Sequence, residues 1–71
     1  MIESILIEKE FEHKGKKGGI IHYLKWLPVG RIEAKIYIDG YVILRYVNGE
    51  EVEAYQPVNA SDMIDFIDSK V

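Results

Sequence analysis

No cysteine occurs anywhere in the 71 residues. That excludes disulfide staples, thiolate zinc sites and cysteine nucleophiles. Threonine is absent too, and serine occurs only at Ser4, Ser61 and Ser69. None of these lies in a Gly-x-Ser-x-Gly elbow; Ser61 is placed to cap a helix, and the other two lie near the chain ends. His13 and His22 are the two imidazoles. Nothing in their spacing joins them to a nucleophile and a carboxylate, so a non-enzymatic protein without a cofactor is expected. Apolar stretches run for only a few residues, which gives no membrane-spanning helix, and no basic-then-apolar leader opens the chain. A soluble, cytoplasmic protein that avoids membranes is the expectation.

What is present fits a small globular fold. The hydrophobic fraction is 48%, ordinary for a folded chain. A chain of this length buries roughly 60% of its unfolded surface, near the lower limit for a self-sufficient core. A single domain over residues 1–71 is expected, since no repeat or linker divides the chain.

Charge is unevenly distributed. Formal net charge is −3. Residues 1–12 carry Lys9 against Glu3, Glu8, Glu10 and Glu12. Residues 13–35 carry Lys14, Lys16, Lys17, Lys25, Arg31 and Lys35 against Glu33. Residues 36–71 carry Arg45 and Lys70 against seven carboxylates. The acidic total speaks against nonspecific DNA binding. The basic middle is either a solvated face complementing its acidic neighbours or a patch for an anionic ligand.

Two turn signals organise the second half. Asp39-Gly40 separates Arg31–Ile38 from Tyr41–Val47, and Asn48-Gly49 separates Tyr41–Val47 from Glu51–Tyr55. Both dipeptides suit two-residue type I′ hairpins, which makes Tyr41–Val47 the centre of a three-stranded meander. In that register Ile38 faces Tyr41, Ile36 faces Ile43, Ile32 faces Val47, Arg45 faces Val52 and Ile43 faces Ala54. The core face then reads Ile32, Ala34, Ile36, Ile38, Ile43, Val52 and Ala54. The opposite face reads Glu33, Lys35, Tyr37, Val42, Leu44, Tyr46, Glu51, Glu53 and Tyr55. Arg45 falls on the core face, which this register does not explain.

Upstream, Ile2–Phe11 alternates like a strand, Lys14–Gly19 reads as a turn or flexible loop, and Gly19–Leu27 reads as a strand with apolar residues at both parities. Downstream, Asn59 or Ser61 can cap a short helix that docks Met63, Ile64, Phe66 and Ile67 on the core. The expected order is β-β-β-β-β-α, mainly β. It is compatible with a small antiparallel five-stranded barrel of the SH3-like kind or with a curled sheet carrying one short C-terminal helix.

Three functional readings follow. The leading one is a protein-interaction module, such as an adaptor, inhibitor or regulatory subunit. Tyr37, Tyr46 and Tyr55, with Leu44 between them, would anchor another protein, and Glu51 and Glu53 would form an acidic rim with Glu33. Trp26 is a further candidate anchor or a core residue. The alternative is a binder of nucleic acid or of a phosphorylated ligand, through Lys14, Lys16, Lys17 and Lys25 with stacking tyrosines. The Lys14–Gly19 segment lacks the Gly-x-x-x-x-Gly-Lys-Ser/Thr and Gly-x-Gly-x-x-Gly patterns. The third is self-assembly into a homo-oligomer through exposed sheet edges. No metal is expected: His13 and His22 with Glu10 or Glu12 form only a weak ligand set, and Asp62, Asp65 and Asp68 lack EF-hand spacing.

Overall fold

The computed structural model describes residues 2–71. These residues form α1 (Ile2–Glu8), β1 (Glu12–Lys17), β2 (Ile20–Trp26), β3 (Arg31–Ile36), β4 (Val42–Asn48), β5 (Glu51–Tyr55) and α2 (Ala60–Lys70). The five strands make one antiparallel sheet in the order β1-β2-β3-β4-β5. The first and last strands do not pair, so the sheet is open and not closed into a barrel. Among the described residues no helix is long and apolar enough to cross a membrane.

The chain begins with a helix where alternation predicts a strand. Ile2, Ile5 and Leu6 share a helical stripe at i, i+3 and i+4. Leu6 is fully buried, and Ile2 and Ile5 pack against the core. The helix ends in a Schellman motif without glycine. Glu10 takes the left-handed conformation (φ 68°), its N–H donates to the Ile7 carbonyl at 2.9 Å, and Phe11 N–H donates to the Leu6 carbonyl at 2.9 Å. Leu6 and Phe11 join the same core cluster, completing the apolar contact of that motif. β1 follows, so most of the predicted Lys14–Gly19 loop is strand. Lys17 pairs with Ile20 across a two-residue Gly18-Gly19 turn with both φ positive.

The meander exists, but its register differs. Ile36 pairs with Val42, and Tyr37 N–H donates to the Tyr41 carbonyl at 2.8 Å. The connection is therefore the three-residue loop Ile38-Asp39-Gly40. Gly40 N–H donates back to the Tyr37 carbonyl at 2.9 Å, and Gly40 has φ 88°. This is a tight turn followed by a left-handed residue, not a type I′ pair. It slips the first hairpin by one residue, which reverses every facing assignment beyond it. In the second hairpin Asn48 pairs with Glu51, so Gly49-Glu50 occupies the turn, with φ positive at Gly49 (61°). That slip is two residues and leaves facing unchanged.

The consequence is one buried face that differs from prediction. Tyr23, Ile32, Ala34, Ile36, Val42 and Leu44 cluster with Leu6, Phe11, Met63, Phe66 and Ile67. Both helices thus pack on the same side of the sheet. Ile38 is 89% exposed and Val52 51%, so neither belongs to the core. Helix α2 is capped as expected: Asn59 Oδ1 accepts from Asp62 N–H at 2.8 Å.

Tyr23 ties α1 to the sheet. Its hydroxyl donates to Glu3 Oε1 at 2.7 Å. Burial, reinforced by the Glu3 carboxylate, pushes the phenol up to about 12 from its usual 10.0. A raised phenol pKa stabilises the fold below pH 10 and loses that contribution as pH rises through 12. In an ultraviolet alkaline titration, one tyrosine should ionise near pH 12, and Tyr23→Phe should remove that late step. Retention of the late step in the variant would assign it elsewhere.

Candidate functional site: the open sheet face

The sheet face away from the helices is built in three cross-strand rows. Trp26, Arg31, Val47 and Val52 form one row; Glu12, Leu24, Glu33, Arg45 and Ala54 form the next; Gly15, His22, Lys35 and Ile43 form the third. The alternation of β3 explains the division. Ile32, Ala34 and Ile36 are buried, whereas Arg31, Glu33 and Lys35 are only half-buried. The tandem hairpins lay the basic segment 13–35 onto three adjacent strands, so charge that is contiguous in sequence becomes contiguous in space.

An open depression of about 450 Å³ lies over β1, β2 and β3. Lys14, Lys16, Lys17, Arg31 and Lys35 line it, with His22, Leu24 and Trp26 as its flat and apolar elements. Glu33 is the single carboxylate among the described lining residues. Trp26 is 62% exposed, so its indole is available at the surface and is not a core anchor. The β1 edge is irregular between His13 and Gly15, where Gly15 has φ 108°. This bulge breaks the ladder beside the lysines and blunts the edge.

Glu33 sits between two arginines. Arg31 Nε donates to Oε2 at 2.8 Å, and Arg45 Nη1 donates to Oε1 at 3.2 Å. Burial alone would push the Glu33 carboxyl up; the hydrogen bond and charge of Arg31, then the charge of Arg45, outweigh it and hold the group below the usual carboxylate range. The opposite side of the molecule carries most of the helix carboxylates. Helix α2 carries Asp62, Asp65 and Asp68, and helix α1 carries Glu3 and Glu8. Lys9, Lys25 and Lys70 offset part of that charge on the helix-bearing side, and Glu12 lies on the open face beside Lys14.

The residues expected to bind a protein partner are placed differently. Leu44 is fully buried and can contact no partner. Tyr55 stacks on Phe66 with centroids 4.9 Å apart, and its hydroxyl donates to the Asp62 carboxylate at 2.7 Å. Tyr46 is half-buried with the Lys70 ammonium 4.9 Å from its ring, and Lys70 also donates to Glu53 Oε1 at 2.6 Å. These side chains hold α2 to the sheet. Glu51 is exposed at the start of β5. Tyr37 lies beside the β3–β4 loop, edge-on to Tyr41 at 5.9 Å. The three tyrosines therefore do not share an open surface, because the register slip sends Tyr46 and Tyr55 under the helix.

The expected anion ligands divide three to one. Lys14, Lys16 and Lys17 border the depression; the Lys14 ammonium lies 3.7 Å from Glu12, and Lys16 sits opposite Ile21, which packs on the helix-bearing side. Lys25 points to the helix-bearing side, where its ammonium donates to the Lys9 carbonyl at 2.9 Å and lies 3.9 Å from Glu10. Arg31, Lys35 and Arg45 join this face although no local motif marks them as site residues. Arg31 and Lys35 share the parity of Glu33 by alternation along β3, whereas Arg45 joins them only in the observed register. His13 and His22 fall on opposite faces: His13 packs edge-on against Tyr23 at 5.1 Å, and His22 lines the depression. Among the described residues no group of three His, Asp or Glu side chains is placed to hold a metal ion. No protein-family model, curated protein or solved structure matches this chain.

Proposed function

We propose that this protein is a binding module whose open sheet face takes up single-stranded nucleic acid. The observation that carries the reading is the depression over β1–β3, where Lys14, Lys17, Arg31 and Lys35 lie around an apolar floor and an exposed indole. Phosphates need cations at intervals along a groove, and unpaired bases need flat apolar surfaces. Both occur here on a sheet face that neither helix covers. Duplex DNA, with its bases sealed in the stack, offers Trp26 nothing to pack against. A protein-interaction role through the three tyrosines has less support, because Tyr46 and Tyr55 already secure α2 and Tyr37 lies apart beside Tyr41.

The test is a titration of labelled oligo-dT and oligo-U strands at low ionic strength, followed by anisotropy. Binding should quench the fluorescence of Trp26, the sole tryptophan. With three or four phosphates engaged, log K should fall against log salt with a slope of about −2 to −3. Trp26→Ala should weaken binding by about tenfold or more without unfolding the chain, as expected for the loss of one stacking platform. Charge reversal at Lys17 and Lys35 together should abolish it. Absence of binding by the unmodified protein to either strand at low salt would remove the proposal.

A further inference from the structure

We propose that Glu33, though negatively charged, strengthens the basic face toward phosphate by holding Arg31 and Arg45 in place. The inference rests on the nucleic-acid reading and concerns how that site is organised. Glu33 and Arg31 lie two residues apart on one side of β3, and Arg45 lies directly opposite Glu33 on β4. Each carboxylate oxygen takes one guanidinium: Oε2 accepts from Arg31 Nε and Oε1 from Arg45 Nη1. One donor of each arginine is used. A guanidinium has five N–H donors, so the remaining ones stay available for a second, bidentate anion.

The fold itself has little need of this arrangement. All three side chains are partly exposed, at 36%, 25% and 46% for Arg31, Glu33 and Arg45. Ion pairs so exposed contribute little to stability. Without the carboxylate, two guanidiniums on neighbouring strands would repel each other and sample many rotamers. Binding would then have to order them. A carboxylate between them removes the repulsion and fixes both forks beforehand, which favours association by lowering the ordering cost. Glu33 is thus a positioning residue that acts through its two partners.

The competing expectation has the opposite sign. If charge alone matters, removing a carboxylate from a phosphate-binding surface tightens binding. Glu33→Gln tests this directly, because it keeps the side-chain size, removes the charge and leaves a single acceptor oxygen. The inference predicts about fivefold weaker binding to oligo-dT and a salt slope shallower by about 0.7, the value of one lost phosphate contact on a single strand. Glu33→Asp keeps the charge but withdraws the carboxylate by one methylene. It should weaken binding in the same direction, which no charge count explains. In a background with Arg31 and Arg45 both changed to methionine, Glu33→Gln should no longer weaken binding, since the groups it positions are gone. Circular dichroism should show all variants folded.

Tighter or unchanged binding by Glu33→Gln in the otherwise native chain would overturn the positioning role and leave the nucleic-acid reading intact. A further loss in the methionine background would also overturn it, by showing that Glu33 acts independently of the arginines. Failure of the native protein to bind any strand would overturn both.

Discussion

Leu44→Ala should destabilise the protein by about 3 kcal/mol, the usual cost of truncating a fully buried leucine. Leu44 is 0% exposed and lies at the centre of the core cluster. Net stability in a chain of this size is on the order of 5 kcal/mol, so the variant should sit close to its unfolding midpoint at room temperature. Val52→Ala is the companion measurement. Val52 is 51% exposed on the open face, and its truncation should cost less than about 1 kcal/mol. The pair reads the register of the β3–β4 hairpin in solution. Two-residue turns at both glycines would put Val52 inside and Leu44 outside, and the two costs would change places. Urea unfolding of both variants decides between the two arrangements.

That exchange shows where the sequence stops being sufficient. β3, β4, β5 and α2 are legible from alternation, turn dipeptides and the Asn59 cap. The hairpins are legible as hairpins. Their register is not, because Asp39-Gly40 serves either as the whole of a two-residue turn or as the end of a three-residue loop. The local chemistry of a glycine at positive φ satisfies both. Arg45 carried the missing information. A two-residue turn buries its guanidinium without a partner, whereas the three-residue loop places it against Glu33 at 3.2 Å. Burial of an unpaired charge costs far more than any difference between turn types. That conflict favours the exchange of the two faces, with Val42 and Leu44 inward.

The N-terminal helix was hidden for a related reason. Ile5, Ile7 and Phe11 alternate by parity, while Ile2, Ile5 and Leu6 follow a helical stripe, and seven helical residues are too few for periodicity to decide. The usual glycine at the helix end is replaced by Glu10, so no stop signal was visible. The functional surface was half legible. Lys14, Lys16 and Lys17 stood out as a cluster, and the basic composition of residues 13–35 pointed to the right strands. Their convergence with Trp26, Arg31 and Lys35 depends on cross-strand neighbours that no linear spacing records.

Gly30→Ala should be among the most damaging substitutions in the chain, and it joins the fold to the proposed site. Gly30 has φ +89°, and a Cβ there would collide with the Val47 carbonyl oxygen and lie 3.2 Å from Asn48 Cα. Those obstacles are backbone, so relief requires moving β4 itself. Gly40 provides the control. Its φ is +88°, and a Cβ would meet nothing within 4 Å. Gly40→Ala therefore carries only the left-handed backbone penalty, about 1–2 kcal/mol. Gly30→Ala carries that penalty plus the collision, for a total on the order of 4 kcal/mol. Gly30 also accepts the Leu27 N–H at 3.0 Å in the turn that sets Trp26 opposite Arg31. At temperatures where the variant stays folded, oligonucleotide affinity should fall with it, while Gly40→Ala binds normally. Equal destabilisation of the two variants in thermal melts would show that the approach to Val47 plays no part. Normal affinity in a folded Gly30→Ala protein would separate the turn from the binding surface.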